Sequence, residues 1–504
     1  MGYGVLSDLR RAAEAVPDRT AFSDGSSAVT YGALYDLVRR VGTGIAEKLN
    51  GSRREPVFVL IGRNTASACA FLAVAAAGCF YVPVDPALPQ ARLSELYRIV
   101  KPRLVVSAVP DADCPPFEGA ETVSFEALCE READDELLGR IAEEAADTDP
   151  LYCIFTSGST GTPKGVLVSH RSVNNMTEQF SRVFPIDSDT VFGNQAPFDF
   201  DVSVKDLYLT LKNAASLHIL ERSLFSMPKL LIERLNERRV NTLIWSVSAM
   251  KIVSAVKTFR SVVPEHVRLV MFSGEVLPPK ILTEWQDHLP GARFVNLYGP
   301  TEITCNCTYF PIERRFADGE AIPIGRPFPN TGILLLDGDS PVSEPGRIGE
   351  ICVYGSCLAL GYFGDPERTA SSFCLNPAVR GWSERIYRTG DLGQYGEDGL
   401  LRFVGRADSQ VKYMGFRIEL GEIETAAAAV PFVRSACCLF DAGREQLCLF
   451  YEADERDDRA LTDALRSRLP AHMIPRRLYY FEKLPANRTG KIDRAALRRD
   501  YIQG

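Results

Sequence analysis

Residues 156–165 read Thr-Ser-Gly-Ser-Thr-Gly-Thr-Pro-Lys-Gly, so hydroxyl side chains and glycines alternate until Lys164 adds a positive charge. Glycine lets the backbone approach an anion closely, and successive backbone N–H groups can then form an anion-binding concavity. The flanking segments 151–155 and 165–169 are short and apolar, which predicts a buried strand on each side. The stretch is therefore predicted to be a phosphate-binding loop between two strands.

The loop differs from a Walker loop, in which Gly-Lys-Ser/Thr runs directly into a helix. Here Pro163 precedes the lysine and Gly165 follows it. The alternative interpretation is a surface turn rich in glycine and serine that binds no ligand, and the loop by itself leaves both interpretations open.

Composition bounds the class of protein. The 504 residues are 46% hydrophobic and 24% charged, which is typical of a soluble globular enzyme with two to four domains or subdomains. The net charge of −8 argues against a nucleic-acid partner. Thirteen cysteines without a Cys-x-x-Cys pair, and five histidines without paired spacing, indicate reduced thiols in the cytoplasm rather than a disulfide or zinc framework.

The most apolar stretch, residues 68–84, is interrupted by Gly78 and Pro83. A membrane span usually needs about 20 apolar residues, so we expect a buried helix followed by a strand and no membrane span.

Three segments follow one another along the chain. From about residue 30 to 291, amphipathic helices alternate with short β-rich runs, which predicts an α/β fold with mostly parallel sheets flanked by helices. Residues 332–404 consist of short alternating strands and turns, which predicts a β-rich subdomain. A further change in composition at Arg406-Ala407-Asp408 predicts a large N-terminal domain, 1–407, and a small mobile α+β C-terminal domain, 408–504.

Four more motifs occur in a fixed order after the loop: Asn-Leu-Tyr-Gly-Pro-Thr-Glu (296–302), Tyr-Arg-Thr-Gly-Asp-Leu-Gly (387–393), Gly-Arg-Ala-Asp-Ser-Gln-Val-Lys-Tyr-Met-Gly-Phe-Arg-Ile-Glu-Leu-Gly-Glu-Ile-Glu (405–424) and Asn-Arg-Thr-Gly-Lys-Ile-Asp-Arg (487–494). Together the five motifs resemble the adenylate-forming superfamily, which includes acyl-CoA synthetases, luciferases and amino-acid adenylation domains. The resemblance extends from about residue 30 to 494. It implies that a carboxylate is adenylated with ATP and Mg²⁺, that pyrophosphate leaves, and that the acyl group passes to a thiol.

The resemblance also implies roles for single residues. Lys491 matches the catalytic lysine, whose charge offsets the repulsion between two anions. Glu302 resembles the Mg²⁺ ligand, Asp408 falls at the hinge, and Gly415 matches a glycine that lines the path of the phosphopantetheine arm. The implied ATP-binding residues are Thr156, Ser157, Gly158, Ser159, Thr160, Gly161, Lys164, Asn296, Tyr298, Gly299, Thr301, Asp391 and Arg406.

Each role has a structural alternative. Lys491 could be a solvated lysine, since most lysines are exposed. Asp391 could be a turn residue, and Tyr298 a core tyrosine as well as a stacking surface for adenine. Glu302 could simply stabilise the N-terminus of a helix through its negative charge, without binding a metal.

The segment Phe-Asp-Val-Ser-Val-Lys-Asp (200–206) resembles the amino-acid branch of the superfamily, the adenylation domains of nonribosomal peptide synthetases, in which the aspartate pairs with the substrate α-ammonium. A buried unpaired carboxylate is costly, so Asp201 in a pocket indicates a cationic partner; the alternative is a surface-loop aspartate. The same motifs place the substrate pocket at Asp201, Val202, Lys205, Trp245, Met271, Ser273, Gly274, Leu297, Cys305 and Asn306.

Lys205 stands where many members of this branch carry an apolar or aromatic residue. A lysine at the side-chain end of the pocket would favour an acidic or polar amino acid. The alternative is that Lys205 points away or extends to solvent.

Residues 271–278, Met-Phe-Ser-Gly-Glu-Val-Leu-Pro, also resemble D-alanine–carrier-protein ligases. Those proteins usually have a cysteine at the position of Ser273 and no lysine at the position of Lys205, but D-alanine stays an alternative substrate. An acyl-CoA synthetase for a small carboxylic acid is a second alternative, and a non-catalytic nucleotide-binding or scaffold protein is a third. No carrier domain is recognised in the sequence, so the expected partner is a phosphopantetheinylated carrier protein, in trans or from a larger synthetase.

Overall fold

The computed structural model describes residues 4–109, 117–158, 162–407, 410–485 and 492–502. The chain divides into two compact units. The large unit consists of Met1–Pro86, Val100–Ile154 and Gly165–Ala407, and the small unit consists of Ala87–Ile99, Phe155–Lys164 and Asp408–Gly504. The segment that contains the phosphate-loop motif therefore belongs to the small unit.

The strands of the described residues are, in chain order, β1 (Thr20–Ser23), β2 (Ala28–Thr30), β3 (Pro56–Leu60), β4 (Phe80–Val84), β5 (Leu104–Ser107), β6 (Glu121–Ser124), β7 (Pro150–Thr156), β8 (Lys164–Ser169), β9 (Val191–Asn194), β10 (Ser216–Ile219), β11 (Thr242–Ser246), β12 (Leu269–Ser273), β13 (Arg293–Tyr298), β14 (Thr308–Ile312), β15 (Arg326–Pro327), β16 (Thr331–Asp337), β17 (Ser340–Val342), β18 (Gly349–Gly355), β19 (Gly361–Tyr362), β20 (Phe373–Leu375), β21 (Arg385–Tyr395), β22 (Leu401–Arg406), β23 (Gln410–Tyr413), β24 (Phe416–Glu419), β25 (Val433–Asp441), β26 (Gln446–Ala453) and β27 (Arg477–Phe481). The α-helices are α1 (Val5–Ala15), α2 (Tyr31–Lys48), α3 (Thr65–Ala76), α4 (Gln90–Val100), α5 (Phe125–Cys129), α6 (Asp135–Glu143), α7 (His170–Val183), α8 (Val202–Asn213), α9 (Pro228–Glu237), α10 (Val247–Ala255), α11 (Pro279–His288), α12 (Pro366–Ser372), α13 (Leu420–Ala428), α14 (Asp458–Arg466) and α15 (Arg494–Tyr501).

Two sheets of the large unit are parallel at their centres. The nine-stranded sheet has the order β15-β14-β13-β12-β11-β9-β10-β1-β2, and the seven-stranded sheet has the order β19-β8-β7-β4-β3-β5-β6. Strands β9 to β13 and β3 to β7 contribute the parallel pairs, whereas antiparallel pairs such as β1–β2 and β13–β14 lie towards the edges. The predicted α/β fold with mostly parallel sheets is confirmed.

Two apolar cores stabilise the large unit. The first contains residues of both parallel sheets and of helices α1, α2, α3, α7 and α8. The second lies on the other face of the nine-stranded sheet, where β11 and β12 pack with α9, α10 and α11. Helix α3 is buried on nearly all sides and leads into the buried strand β4, so the interpretation of residues 68–84 as a helix followed by a strand is confirmed. Over the described residues, no helix combines the length and apolar character that a membrane crossing requires.

The remaining sheet of the large unit forms the predicted β-rich region. Strands β17-β16-β18-β21-β20 pair in this order, and β22 pairs with β21. All of these pairs are antiparallel, and the β21–β22 pair places Asp391 opposite Arg406.

The small unit has the predicted α+β character. It contains the two-stranded β23–β24 sheet and the three-stranded β25-β26-β27 sheet, with α13 and α14 in their core. Most of helix α4 and the segment Phe155–Lys164 also belong to this unit, although both lie far away in sequence.

Candidate active site

Asp391 is the centre of a buried polar cluster in the large unit. It lies within strand β21 and is only 1% exposed, so the alternative of a simple turn residue is wrong. Arg406 Nη1 donates to Asp391 Oδ1 at 2.5 Å, and the Tyr298 hydroxyl donates to Oδ2 at 2.6 Å. A carboxylate offers about four lone-pair positions, so each oxygen keeps acceptor capacity for the two hydroxyls of a ribose.

Tyr298 serves both the core and this cluster. Burial and the neighbouring Asp391 charge raise the pKa of Tyr298 well above its ordinary value, which keeps its hydroxyl protonated as a donor. Its ring belongs to the first apolar core, and its centroid lies 6.4 Å from that of Phe403. The side chain of Asn296 on the same strand donates to the Pro323 carbonyl at 2.8 Å.

Glu302 is a fully buried carboxylate in the short 3₁₀ turn Thr301–Ile303. The Tyr362 hydroxyl donates to Glu302 Oε1 at 2.8 Å. Within the described ranges, no three His, Cys, Asp or Glu side chains converge as a metal cluster. One carboxylate of this kind fits Mg²⁺, which takes most of its ligands from phosphate oxygens and water.

The turn after β13 connects the Asp391 cluster with the predicted substrate pocket. A side chain at Gly299 would place its Cβ 2.6 Å from the Asn306 Cα and 2.8 Å from the Cys305 carbonyl oxygen, so only glycine fits there. Thr304 and Cys305 have φ values of 58° and 76°, a left-handed conformation that is uncommon for residues other than glycine. The tight turn places Cys305 and Asn306 beside the end of β13.

Asp201 is buried at the start of α8, at 8% exposure, so the surface-loop alternative is wrong. It occupies the position before the first residue of α8, but its side chain does not cap the helix. The Cys305 thiol donates to the Asp201 backbone carbonyl at 3.1 Å, which joins the turn after β13 to α8.

Lys205 lies one turn further along α8 and is completely buried, so the alternative that it extends to solvent is wrong. Its ammonium donates to Asn306 Oδ1 at 2.7 Å. Burial lowers the pKa of Lys205, and the charges of Asp201 and Asp206 oppose that effect. Asp206 is also buried; it accepts a 2.9 Å hydrogen bond from Asn194, and burial raises its pKa to about 7.

One predicted pocket residue, Trp245, requires a correction. Met271 belongs to the first apolar core, whereas Trp245 belongs to the second, on the opposite face of the nine-stranded sheet. The Trp245 indole donates to the Gly193 carbonyl at 2.8 Å, which fixes it as a core residue. Because side chains alternate along a strand, Thr242, Ile244 and Ser246 are the residues of β11 that share the face of Met271.

The other predicted pocket residues lie near strand ends or at the start of α8. Val202 is buried in the first turn of α8, and Leu297 is buried on β13. Ser273 is the last residue of β12 and is 4% exposed. Gly274 follows with φ of 98°, a conformation that favours glycine.

The described part of the phosphate loop contacts residues of the same small unit. The Ser157 hydroxyl donates to the Arg417 carbonyl at 2.6 Å and accepts from the Glu419 N–H at 3.2 Å. The Gly158 backbone N–H lowers the pKa of Glu422, against the larger effect of burial. A carboxylate therefore lies near a backbone N–H of the segment in which we predicted anion binding.

Glu422 also forms an ion pair that the sequence did not predict. Arg92 Nη1 on α4 lies 2.9 Å from Glu422 Oε1, and 2% of the Glu422 side chain is exposed. Burial raises the pKa of Glu422 to about 7; the Arg92 charge opposes this effect, and Glu95 adds to it. Thr156 Oγ1 is buried without a hydrogen-bond partner among the described residues, and Lys164 is 9% exposed.

Several predicted site residues, Ser159, Thr160, Gly161, Asp408 and Lys491, lie outside the described residues. Gly415 is described: with Met414 it forms the two-residue turn between β23 and β24, and both have positive φ. Such a turn favours glycine, so the backbone alone accounts for this residue.

Two family profiles together match most of the chain. The profile of the AMP-binding enzyme family matches residues 9–363, and that of the AMP-binding enzyme C-terminal domain matches residues 422–491. A D-alanine–D-alanyl carrier protein ligase of Bacillus velezensis is 31% identical over 99% of both chains. Tyrocidine synthase 1 of Brevibacillus parabrevis is 30% identical over 98% of this chain, which corresponds to 45% of that longer protein.

A solved structure of a protein with an adenylation domain is also similar to this chain. An NRPS protein with adenylation and PCP domains, bound to a vinylsulfonamide inhibitor, superposes with a TM-score of 0.81 at 26% identity. The match covers 98% of this chain and 84% of that one.

Proposed function

The chain belongs to the AMP-binding enzyme family, and on that premise we propose that it activates an amino acid with ATP and transfers it to a carrier-protein thiol. In the first step, an oxygen of the amino-acid carboxylate bonds to the α-phosphorus. The bond from this phosphorus to the bridging oxygen breaks, and pyrophosphate leaves with the electron pair. In the second step, the phosphopantetheine sulfur, which loses its proton, bonds to the acyl carbon and AMP leaves.

The polar cluster of the large unit supports the nucleotide part of this proposal. Asp391, oriented by Arg406 and Tyr298, keeps acceptor capacity for ribose hydroxyls. Glu302 would hold Mg²⁺, which neutralises phosphate charge when it is bound. Lys491 would supply the positive charge close to the reacting carboxylate, as the resemblance implies.

The substrate part of the proposal rests on the burial of Lys205. An ammonium that is removed from water and donates to Asn306 at 2.7 Å makes the pocket polar at the side-chain end. Asp201, buried one helical turn earlier, suits the α-ammonium group of an amino acid. We therefore infer an amino acid with an acidic or polar side chain, activated in the cytoplasm.

D-Alanine is the second candidate. A relative of nearly the same length is named a D-alanine–D-alanyl carrier protein ligase, and this full-length match favours the same small substrate. The buried Lys205 argues against it, because a methyl side chain offers that region of the pocket no hydrogen bond.

ATP–pyrophosphate exchange across all proteinogenic amino acids and D-alanine tests the proposal. We expect the highest kcat/KM with an acidic or polar amino acid, and a loss of about 10- to 100-fold in Lys205→Met. Lys212→Met on the same helix, where the lysine pairs with Glu178 at the surface, is the control. If no acidic or polar amino acid supports exchange, the proposed substrate class is wrong. If the thioester forms on CoA but not on a holo-carrier protein, the proposed transfer to a carrier protein is wrong.

A further inference from the structure

Arg63 joins the two parallel sheets of the large unit at the carboxyl ends of their strands. It follows β3 of the seven-stranded sheet, and its guanidinium contacts the ends of β9 and β10 of the nine-stranded sheet. Its Nε donates to the Leu220 carbonyl at 2.6 Å. Its Nη2 donates to the Asn194 carbonyl at 2.9 Å and to Asn194 Oδ1 at 3.2 Å. A planar guanidinium suits such a set of acceptors, which a lysine ammonium does not match.

Asn194 connects this arginine to helix α8. It is the last residue of β9 and is completely buried. Arg63 donates to its side-chain oxygen, and its amide nitrogen donates to Asp206 Oδ2 at 2.9 Å. Asp206 is also completely buried, and its other oxygen has no hydrogen-bond partner among the described residues. Because a buried carboxylate is costly without donors, the Asn194 contact holds this side of α8 against the end of β9.

The turn after β13 holds the start of α8 from another direction. Lys205, the neighbour of Asp206, donates to Asn306 Oδ1 at 2.7 Å. The Cys305 thiol donates to the Asp201 carbonyl at 3.1 Å. The Asp201 side chain does not cap the helix. The direction in which Asp201 points therefore depends on the rotation of α8 about its axis, which the two sets of contacts fix together.

We propose that Arg63 and Asn194 are positioning residues for the amino-acid substrate, which hold α8 in the rotation at which Asp201 meets the α-ammonium group. This inference rests on the proposed amino-acid activation and adds two residues from outside the predicted pocket. The ATP-binding candidates Asp391 and Arg406 lie on β21 and β22 of the β-rich sheet. Loss of the Arg63 contacts should therefore weaken binding of the amino acid but not of ATP.

The experiment measures KM for the amino acid and KM for ATP separately, in pyrophosphate exchange by the full chain with the amino acid that the wild type activates best. We expect Arg63→Met and Asn194→Ala each to raise KM for the amino acid about 10- to 100-fold, because a small misplacement of a binding group has effects of this size. KM for ATP should not change. The double variant should be no more impaired than the weaker single variant, because both substitutions interrupt the same chain of contacts.

Two further variants separate positioning from a general loss of stability. Arg63→Lys keeps the charge but not the planar fork, so it should resemble Arg63→Met. Arg19→Lys is the matched control, because Arg19 also donates to two backbone carbonyls, Ser188 at 2.8 Å and Ala214 at 3.0 Å. Ala214 follows the last residue of α8, at the end far from Asp201. Arg19→Lys should lower the thermal midpoint and leave KM for the amino acid unchanged.

Distinct outcomes separate this inference from the proposed function. If the wild type shows no exchange with any amino acid, the proposed function itself is wrong. If the wild type is active but KM for the amino acid is unchanged in Arg63→Met and Asn194→Ala, or rises together with KM for ATP, only the positioning role is overturned. If thermal unfolding shows that Arg63→Met does not fold, the ratio of the two KM values in Arg63→Lys decides the question.

Discussion

Asp391 shows how much a single buried side chain contributes to the candidate site. Its two oxygens are already engaged by Arg406 and Tyr298, so its orientation is set before any ligand binds. The motif around Asp391 could be recognised in the sequence because it is local, spanning seven residues. Its partners could not be derived locally, since Arg406 and Tyr298 reach it from 15 and 93 residues away.

Replacement of Asp391 by asparagine tests this site directly. The amide keeps the shape of the side chain but replaces one acceptor oxygen with a donor, which conflicts with the Arg406 and Tyr298 donors. We expect KM for ATP to rise about 10- to 100-fold, because one charge-assisted contact is worth about 1.5–3 kcal/mol. Asp398→Asn is the control, since Asp398 forms an exposed pair with Arg402 on the neighbouring strand. Equal KM values for ATP in the two variants would show that Asp391 does not bind the nucleotide.

Trp245 illustrates where residue-level prediction failed. Trp245 does lie on a strand, but the face that a strand residue occupies depends on the strand's register with β12, and a shift of one residue reverses that face.

At the scale of elements, the apolar patterns predicted strands β7 and β8 around the phosphate loop, and helix α3 followed by strand β4. These elements were predictable because a buried helix or strand has a recognisable spacing of apolar residues within a short stretch of sequence. The assignment of most of α4 to the small unit was not predictable. Within this unit Arg92 of α4 pairs with Glu422 of α13, and the two residues are 330 positions apart in the sequence.

That ion pair predicts a pH dependence of stability. Burial raises the pKa of Glu422 to about 7, above its ordinary value of 4.5, so the folded state binds a proton more tightly than the unfolded chain. The contribution of Glu422 to stability is therefore most favourable below pH 4.5, declines as the pH rises to about 7 and is constant above it. We expect Glu422→Gln to remove this decline, which is measured as the difference in thermal midpoint from wild type at about pH 5, 6, 7 and 8.

The neighbouring acid on the same helix provides the comparison. Glu424 of α13 pairs with Arg494 at 2.7 Å, so Glu424→Gln removes a carboxylate from the same helix but leaves the Arg92–Glu422 contact in place. It should keep the wild-type decline between about pH 5 and 7. A Glu422→Gln protein with the same pH profile as wild type would contradict the raised pKa.

At the scale of the whole chain, composition and the order of the motifs were sufficient to identify the family. The family profiles match residues 9–363 and 422–491. The division of the chain into units was harder to predict, because the small unit is assembled from three separate segments. Composition can detect a change along the chain at residue 408, but it cannot reveal that residues 87–99 and 155–164 pack with the C-terminal part.

Lys491, the catalytic lysine that the resemblance implies, lies outside the described residues. If Lys491 neutralises the two anions that meet during adenylation, Lys491→Ala lowers ATP–pyrophosphate exchange by more than about 100-fold, since removal of one electrostatic contact to a transition state commonly has this size. The thermal midpoint should be unchanged, because only the chemical step is affected. Lys483→Ala, eight residues earlier, is the control for a general change of charge in the C-terminal region. Undiminished exchange in Lys491→Ala would return the chain to the alternative of a nucleotide-binding protein without this chemistry.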